Sequence, residues 1–265
     1  MNAFEEKKKE IETVKIEKEL DCLRVVTLNI SEKCQLKCPS CPRSQGYPNR
    51  DLFMNMNTAS KIKQLLDKIG FNGIVSISGM GEPCLNPLIY NLVSVFFPHK
   101  VQVVTNGLAG INYKLLSNYA DIVVSVHNIN HLNLLEEKFK DVAVTYKNHD
   151  INSDSCELIP TNRGGWLSEE NNKDRVCFFP LYKICIDYDG SYLWCPDDWR
   201  RVSKKPSIDI FHMDIATYFC EYIKDDLYNL VTIGRSKSPC SECNANGTLM
   251  GKNIAEKYIC QFKNE

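Results

Sequence analysis

From residue 23 onward, short unbroken apolar runs alternate with stretches in which apolar residues recur every three or four positions. Leu23-Arg-Val-Val-Thr-Leu-Asn-Ile30 is the first run, β-rich and nearly continuous, as a strand buried on both faces reads. Ile62, Leu65, Leu66 and Ile69 then fall on one face of a helix that Asn57 is placed to cap and Gly70 to stop. Gly73-Ile-Val-Ser-Ile-Ser78 predicts a second strand. Asn86-Pro87 opens a helix carrying Leu88, Ile89, Leu92, Val93 and Phe96, and Pro98 closes it. Val101-Gln-Val-Val104 predicts the third strand and residues 111–119 a third helix; 121–126 and 141–145 are two further strands with a short helix between them. This alternation predicts an α/β fold on a parallel sheet, closed as a barrel or a partial (β/α) barrel. In such sheets ligands gather where strands end and loops begin.

The alternation stops near residue 150. Residues 147–176 are polar and Gly/Asn-rich, and the remainder is short, aromatic and cysteine-bearing. The chain is thereby divided into a charged extension (1–22), a core (23–165) and a small C-terminal domain (166–265). That last part has too few periodic apolar segments for an independent core of ~100 residues, so a metal staple is expected. The extension, with Glu5 to Glu10 followed by Ile11, Val14, Ile16 and Leu20, reads as a loosely docked helix. It is neither Arg-rich nor acid-poor, unlike a transit peptide.

Charge narrows the class of partner. Lys+Arg 32 against Asp+Glu 33 gives a net charge of −1, without the basic footprint of a nucleic-acid binder. No apolar run approaches the roughly 20 residues of a membrane span. A cytoplasmic protein is expected, with neither nucleic acid nor membrane as a partner. In a reducing compartment the 13 cysteines point to metal or catalysis rather than to a disulfide framework.

The cysteines fall into two groups. Cys34-Gln-Leu-Lys-Cys38-Pro-Ser-Cys41 directly follows the first strand. Three thiolates on so tight a loop fit three corners of an iron–sulfur cube and leave one iron without a protein ligand, the mark of a reactive centre. Later come Cys177, Cys195 and Cys240-Ser-Glu-Cys243, with a Tyr188–Gly190 turn making a hairpin between the first two. By themselves these four suit a structural zinc knuckle as well as a cluster. Cys22, Cys84, Cys156, Cys185, Cys220 and Cys260 read mostly as small buried hydrophobes. Cys185 lies between two proposed ligands.

With the first group in view, three further motifs gain meaning. Gly79-Met-Gly81-Glu82-Pro83 follows the second strand, Thr105-Asn106-Gly107 the third, and Ser125 ends the fourth. Each alone is a common turn or strand-end sequence. In this order the set resembles the radical S-adenosylmethionine (SAM) superfamily, over roughly Leu23 to Cys243. The resemblance implies that Cys34, Cys38 and Cys41 hold a [4Fe–4S] cluster whose open iron is chelated by SAM. It further implies that Gly79, Gly81, Glu82, Thr105, Asn106 and Ser125 bind the cofactor. One departure is Ser40, where the family usually has an aromatic residue packed near the adenine. The second cysteine set resembles the SPASM/twitch auxiliary domain. No cysteine occurs in 244–252, as in the shorter twitch form, which implies a second [4Fe–4S] cluster fully ligated by Cys177, Cys195, Cys240 and Cys243. A closed cluster moves electrons and does not bind substrate.

Enzymes of this kind cleave SAM to a 5′-deoxyadenosyl radical, which abstracts a hydrogen atom from carbon. Short twitch-bearing members oxidise a secondary alcohol of an aminocyclitol to a ketone. The resemblance therefore implies an oxidoreductase acting on a small cyclitol or sugar-like substrate, served by a flavodoxin- or ferredoxin-type reductant. Arg163, in Thr161-Asn-Arg-Gly-Gly-Trp166, occupies the region of an arginine linked to hydroxyl deprotonation. A guanidinium with a pKa above about 12 suits stabilisation of a ketyl oxygen better than proton abstraction. His127 is a further candidate at a strand end. The alternatives are a carbohydrate epimerase or dehydratase, with Cys84 as hydrogen donor, a peptide maturase, and a non-catalytic zinc or iron–sulfur module.

Overall fold

The structure is a computed structural model that describes residues 3–159, 161–171 and 175–262. It opens with helix α1 (Ala3–Glu12). Five strands then alternate with helices: β1 (Val25–Leu28), α2 (Met56–Lys68), β2 (Ile74–Ile77), α3 (Ile89–Val95), β3 (Lys100–Thr105), α4 (Tyr113–Leu116), β4 (Asp121–Val126), α5 (Leu132–Phe139) and β5 (Val144–Asn148). After a long connection come α6 (Phe179–Tyr182), β6 (Lys183–Ile186), β7 (Tyr192–Leu193), α7 (Ile215–Thr217), α8 (Lys224–Thr232) and α9 (Lys252–Phe262). The seven strands form one sheet in the order β5-β4-β3-β2-β1-β6-β7, parallel throughout except for the β6–β7 hairpin. This is the expected α/β architecture of a partial (β/α) barrel.

β1 lies between β2 and β6, Val25 pairing with Ile74 on one side and Lys183 on the other. The first strand of the C-terminal segment thus completes the sheet of the N-terminal one. The rung Leu28–Ile77–Val103–Ile122 faces the helices and is buried. The neighbouring rung Thr27–Ser76–Gln102–Asp121 carries polar side chains on the opposite face. Each fully buried aliphatic side chain contributes about 1.5–3 kcal/mol, so the apolar rungs fix the register. Leu227, Ile254 and Tyr258 of α8 and α9 belong to the same hydrophobic core. The extension docks too: Ile11 is buried, and Glu12 accepts hydrogen bonds from the amides of Gly251 and Asn253.

The third helix is shorter than expected, Tyr113–Leu116 rather than 111–119, strand ends shift by one or two residues, and two further boundaries have a visible cause. The cap of α2 is Asn55, whose Oδ1 accepts the Thr58 amide at 2.9 Å, two residues before the expected Asn57. β5 begins at Val144 rather than at 141, because the Val142 amide is taken by Phe139 O and closes α5 first. Among the described residues no helix is long and apolar enough to cross a membrane.

Candidate active site

A cavity of about 310 Å³ opens at the carboxyl ends of the parallel strands. Cys34, Cys38 and Cys41 line it from the loop after β1. Gly79, Gly81 and Glu82 enter after β2, Thr105 and Asn106 where β3 ends, Ser125 from β4, and Arg163 from the connection after β5. Every residue expected in the first site borders this one space.

The cysteine loop is held by its own chain. Asn49 Oδ1 accepts the Cys34 amide at 2.9 Å, and its Nδ2 donates to Cys34 O at 3.1 Å. Arg43, buried beneath, donates to Pro48 O at 2.8 Å and to Met80 O at 2.9 Å, joining the loop to the glycine motif. The Leu36 amide points at Cys34 Sγ from 3.4 Å, a contact suited to a thiolate. Burial, and then the neighbouring cysteines, push the Cys38 thiol up to about 12. A metal held there would reverse that preference, since a coordinating thiol is deprotonated outright.

The glycine motif is set by backbone crowding. A Cβ on Gly81 would stand 2.1 Å from Ser31 O, and Gly79 has φ +137°, so neither position accepts another residue without strain. Glu82 is almost fully buried and already engaged: Thr105 Oγ1 donates to it at 2.6 Å, the Asn106 amide at 2.8 Å and the Cys84 amide at 3.0 Å. Burial raises its pKa and these three donors oppose the rise. Glu82 therefore locks the turn after β3 to the turn after β2. Cys84 packs in the hydrophobic core and does not line the cavity.

A second cavity, of about 290 Å³, is bordered by Cys177, Cys195, Cys240 and Cys243. Cys240 and Cys243 share one helical turn and are joined by Cys177 and Cys195 from two other segments, while Cys185 turns into a small core with Tyr47, Met80, Leu193 and Trp199. Gly247 makes room for one of them: a Cβ there would lie 2.2 Å from Cys177 Sγ. Burial raises the Cys177 and Cys195 thiols, as it does those of Cys34 and Cys38. Among the described residues no three Cys, His, Asp or Glu side chains converge as a single metal ion requires.

Arg163 and Pro196 line both cavities. The Arg163 guanidinium donates to Asp197 Oδ1 at 3.0 Å and, through Nε, to Ser40 O at 3.4 Å.

Sequence reasoning missed a buried ionic network beside the cysteine loop. Arg201 pairs with Glu32 and, at 2.7 Å, with Asp187, while Asn29 donates to Asp187 at 2.6 Å. Arg201 also donates to Tyr47 OH. These residues are scattered over 170 positions and carry no motif; only the strand pairing of β1 with β6 brings them together. His149 was also missed. It lines the first cavity with the anticipated His127, their rings edge to face at 5.5 Å. Trp199 lines the same cavity, its ring set edge-on to Tyr47 at 4.9 Å.

No protein-family model and no curated protein sequence matches the chain. Solved structures do. BtrN in complex with AdoMet and 2-DOIA aligns with a TM-score of 0.70 at 19% identity, over 87% of this chain and 96% of that one. SuiB of Streptococcus suis, bound to its precursor peptide SuiA, aligns at 0.57 with 14% identity, over 83% and 69%. The anSMEcpe structure with bound AdoMet aligns at 0.51 with 15% identity, over 91% and 95%. The chain shares the fold of these three proteins, two of which hold AdoMet in those structures.

Proposed function

We propose that this chain is a radical SAM oxidoreductase that removes two electrons from a secondary alcohol of a cyclitol or sugar-like substrate. Cys34, Cys38 and Cys41 would hold the [4Fe–4S] cluster that binds SAM. The segment 166–265 serves as the auxiliary domain, with Cys177, Cys195, Cys240 and Cys243 holding a second, closed [4Fe–4S] cluster. SAM and the first cluster would supply the radical that takes a hydrogen atom from the carbinol carbon, the second cluster would offer the acceptor for the remaining electron, and the hydroxyl proton would leave to solvent. A flavodoxin- or ferredoxin-type protein is the proposed reductant.

The observation that carries this reading is that Arg163 borders both cysteine-lined cavities. Oxidation needs an electron acceptor beside the radical site, and the two spaces share a wall. BtrN, whose structure holds AdoMet and 2-DOIA, matches this chain over nearly its whole length. It corresponds to the 2-deoxy-scyllo-inosamine dehydrogenase whose cluster inventory the sequence resembles. Glu82, Thr105 and Asn106 shape the cofactor pocket, Gly79 and Gly81 let backbone approach it, and Ser125 faces it from β4. Trp199 supplies an aromatic face that Ser40 does not. The seclusion of Cys84 speaks against it as a hydrogen donor for an epimerase.

Iron and sulfide content with EPR on anaerobically reconstituted protein tests the proposal. About eight irons in the wild type, falling to about four in the Cys34/Cys38/Cys41→Ala variant with loss of a SAM-perturbed signal, are expected. About four irons in the wild type and none in the variant would remove the electron acceptor and with it the oxidation.

A further inference from the structure

We infer, resting on the function proposed above, that the substrate carries an anionic group, a carboxylate or a phosphate, which docks on the wall formed by His127, His149 and Arg163. His127 follows directly on β4 and His149 on β5, and the His149 amide donates to Val126 O at 2.7 Å, fixing one strand end against the other. Both rings and Arg163 line the cavity. Nδ1 of His127 is buried without a hydrogen-bond partner among the described residues. Arg163 spends Nη1 on Asp197 and Nε on Ser40 O, so that Nη2 remains uncommitted. Lys147 lies two residues before His149 on the same face of β5 and is the register partner of Ser125, but it does not itself line the cavity.

The carboxylates nearby are all engaged elsewhere. Glu82 holds Thr105, Asn106 and Cys84; Asp150 accepts the amides of Ile129 and Asn152; Asp197 holds Arg163; Glu157 accepts the Asn148 amide. Among the described residues the wall offers donors and no free carboxylate. An anion would meet donors from Arg163, already paired with Asp197, and from the two imidazoles in a partly desolvated space, where charge-assisted hydrogen bonds are strong. Burial, followed by the charge of Arg163, depresses His127, and Asp150 opposes this; burial, then His127, Lys147 and Arg163, depress His149. The rings are thus neutral in the free protein, and an anion is bound more tightly where it can bring a proton with it.

The test uses reconstituted holoenzyme with SAM and titrates glucuronate, glucose 6-phosphate, glucose and glucosamine by calorimetry at about pH 7.5 and about pH 6. One of the two anions should bind about tenfold or more tightly than glucose and glucosamine, and its Kd should fall further at the lower pH. Which anion wins separates a carboxylate from a phosphate. His149→Gln should lose most of the preference while leaving SAM affinity unchanged. Equal or tighter binding of glucosamine, absence of binding by either anion, or a variant that weakens SAM instead would overturn the inference. Formation of 5′-deoxyadenosine by the dithionite-reduced enzyme separates the two levels. Its absence would strike the proposed function itself, and its presence beside an amine preference would strike only the anionic substrate.

Discussion

Arg163 stands 3.0 Å from Oδ1 of Asp197, with one face on the three-cysteine cavity and the other on the four-cysteine cavity. Its backbone is held at φ +53°, a conformation a non-glycine residue adopts only under local constraint, and Gly164 beside it packs against Asp197 O. Arg163→Ala is expected to lower substrate turnover by about 10²-fold or more, the magnitude seen when a donor to developing negative charge is removed. SAM cleavage without substrate should persist, since all three cysteines remain and the loop loses only the long Nε contact to Ser40 O. Arg163→Lys keeps the charge but not the planar fork and should recover only part of the rate. Wild-type turnover in Arg163→Ala would remove the residue from the chemistry.

Arg201 predicts a stability effect. It joins Glu32, two residues before the cysteine loop, to Asp187 in the turn between β6 and β7, and both carboxylates are essentially inaccessible. Arg201→Met would leave buried Glu32 without its cation and Asp187 with only Lys204, at 3.6 Å, and should cost about 3–5 kcal/mol, read as a shift of the urea midpoint under anaerobic conditions. The Glu32→Gln/Asp187→Asn/Arg201→Met triple variant should regain part of this loss. A single variant as stable as the wild type would show that the network contributes nothing to holding the two segments together.

Gly247 separates the two proposed clusters. With no space for a Cβ beside Cys177 Sγ, Gly247→Ala must displace that thiol. The variant should fall from about eight irons to about four while keeping the SAM-perturbed EPR signal, because the first cysteine loop lies elsewhere. Gly110→Ala, with nothing within 4 Å of its Cβ, is the matched control and should keep both clusters. Full iron content in Gly247→Ala would mean that Cys177 is not a ligand.

Most of the first cavity was legible in the sequence because its residues are local. Each motif directly follows an apolar strand, and the parallel sheet sets successive strand ends side by side. What the sequence did not disclose depends on contacts between distant segments. β6 reads as a short apolar run with no hint that its partner is β1, and that pairing is what brings Asp187 and Arg201 to Glu32. His149 escaped for a different reason: β5 is an edge strand, half-buried along its length, so no hydrophobic alternation marks which residues face inward. The cap of α2 was misplaced by two residues because Asn55 and Asn57 are both capable cap residues, and only the geometry of the incoming chain decides between them.

His149 makes the fold sensitive to acid. Its pKa is lowered to about 4, first by burial and then by the charges of His127, Lys147 and Arg163. In the unfolded chain it titrates near 6.5. Between these values the unfolded state binds a proton that the native state refuses, so stability is intact above about pH 6.5 and declines as the pH falls toward 4. The separation of about 2.5 units corresponds to at most about 3 kcal/mol. His149→Gln removes the titration while keeping a polar side chain of similar reach. Its urea midpoint should therefore fall less than that of the wild type between about pH 7 and about pH 4.5. Parallel losses in the two proteins would place the acid sensitivity in other groups and leave His149 without the burial that lowers its pKa.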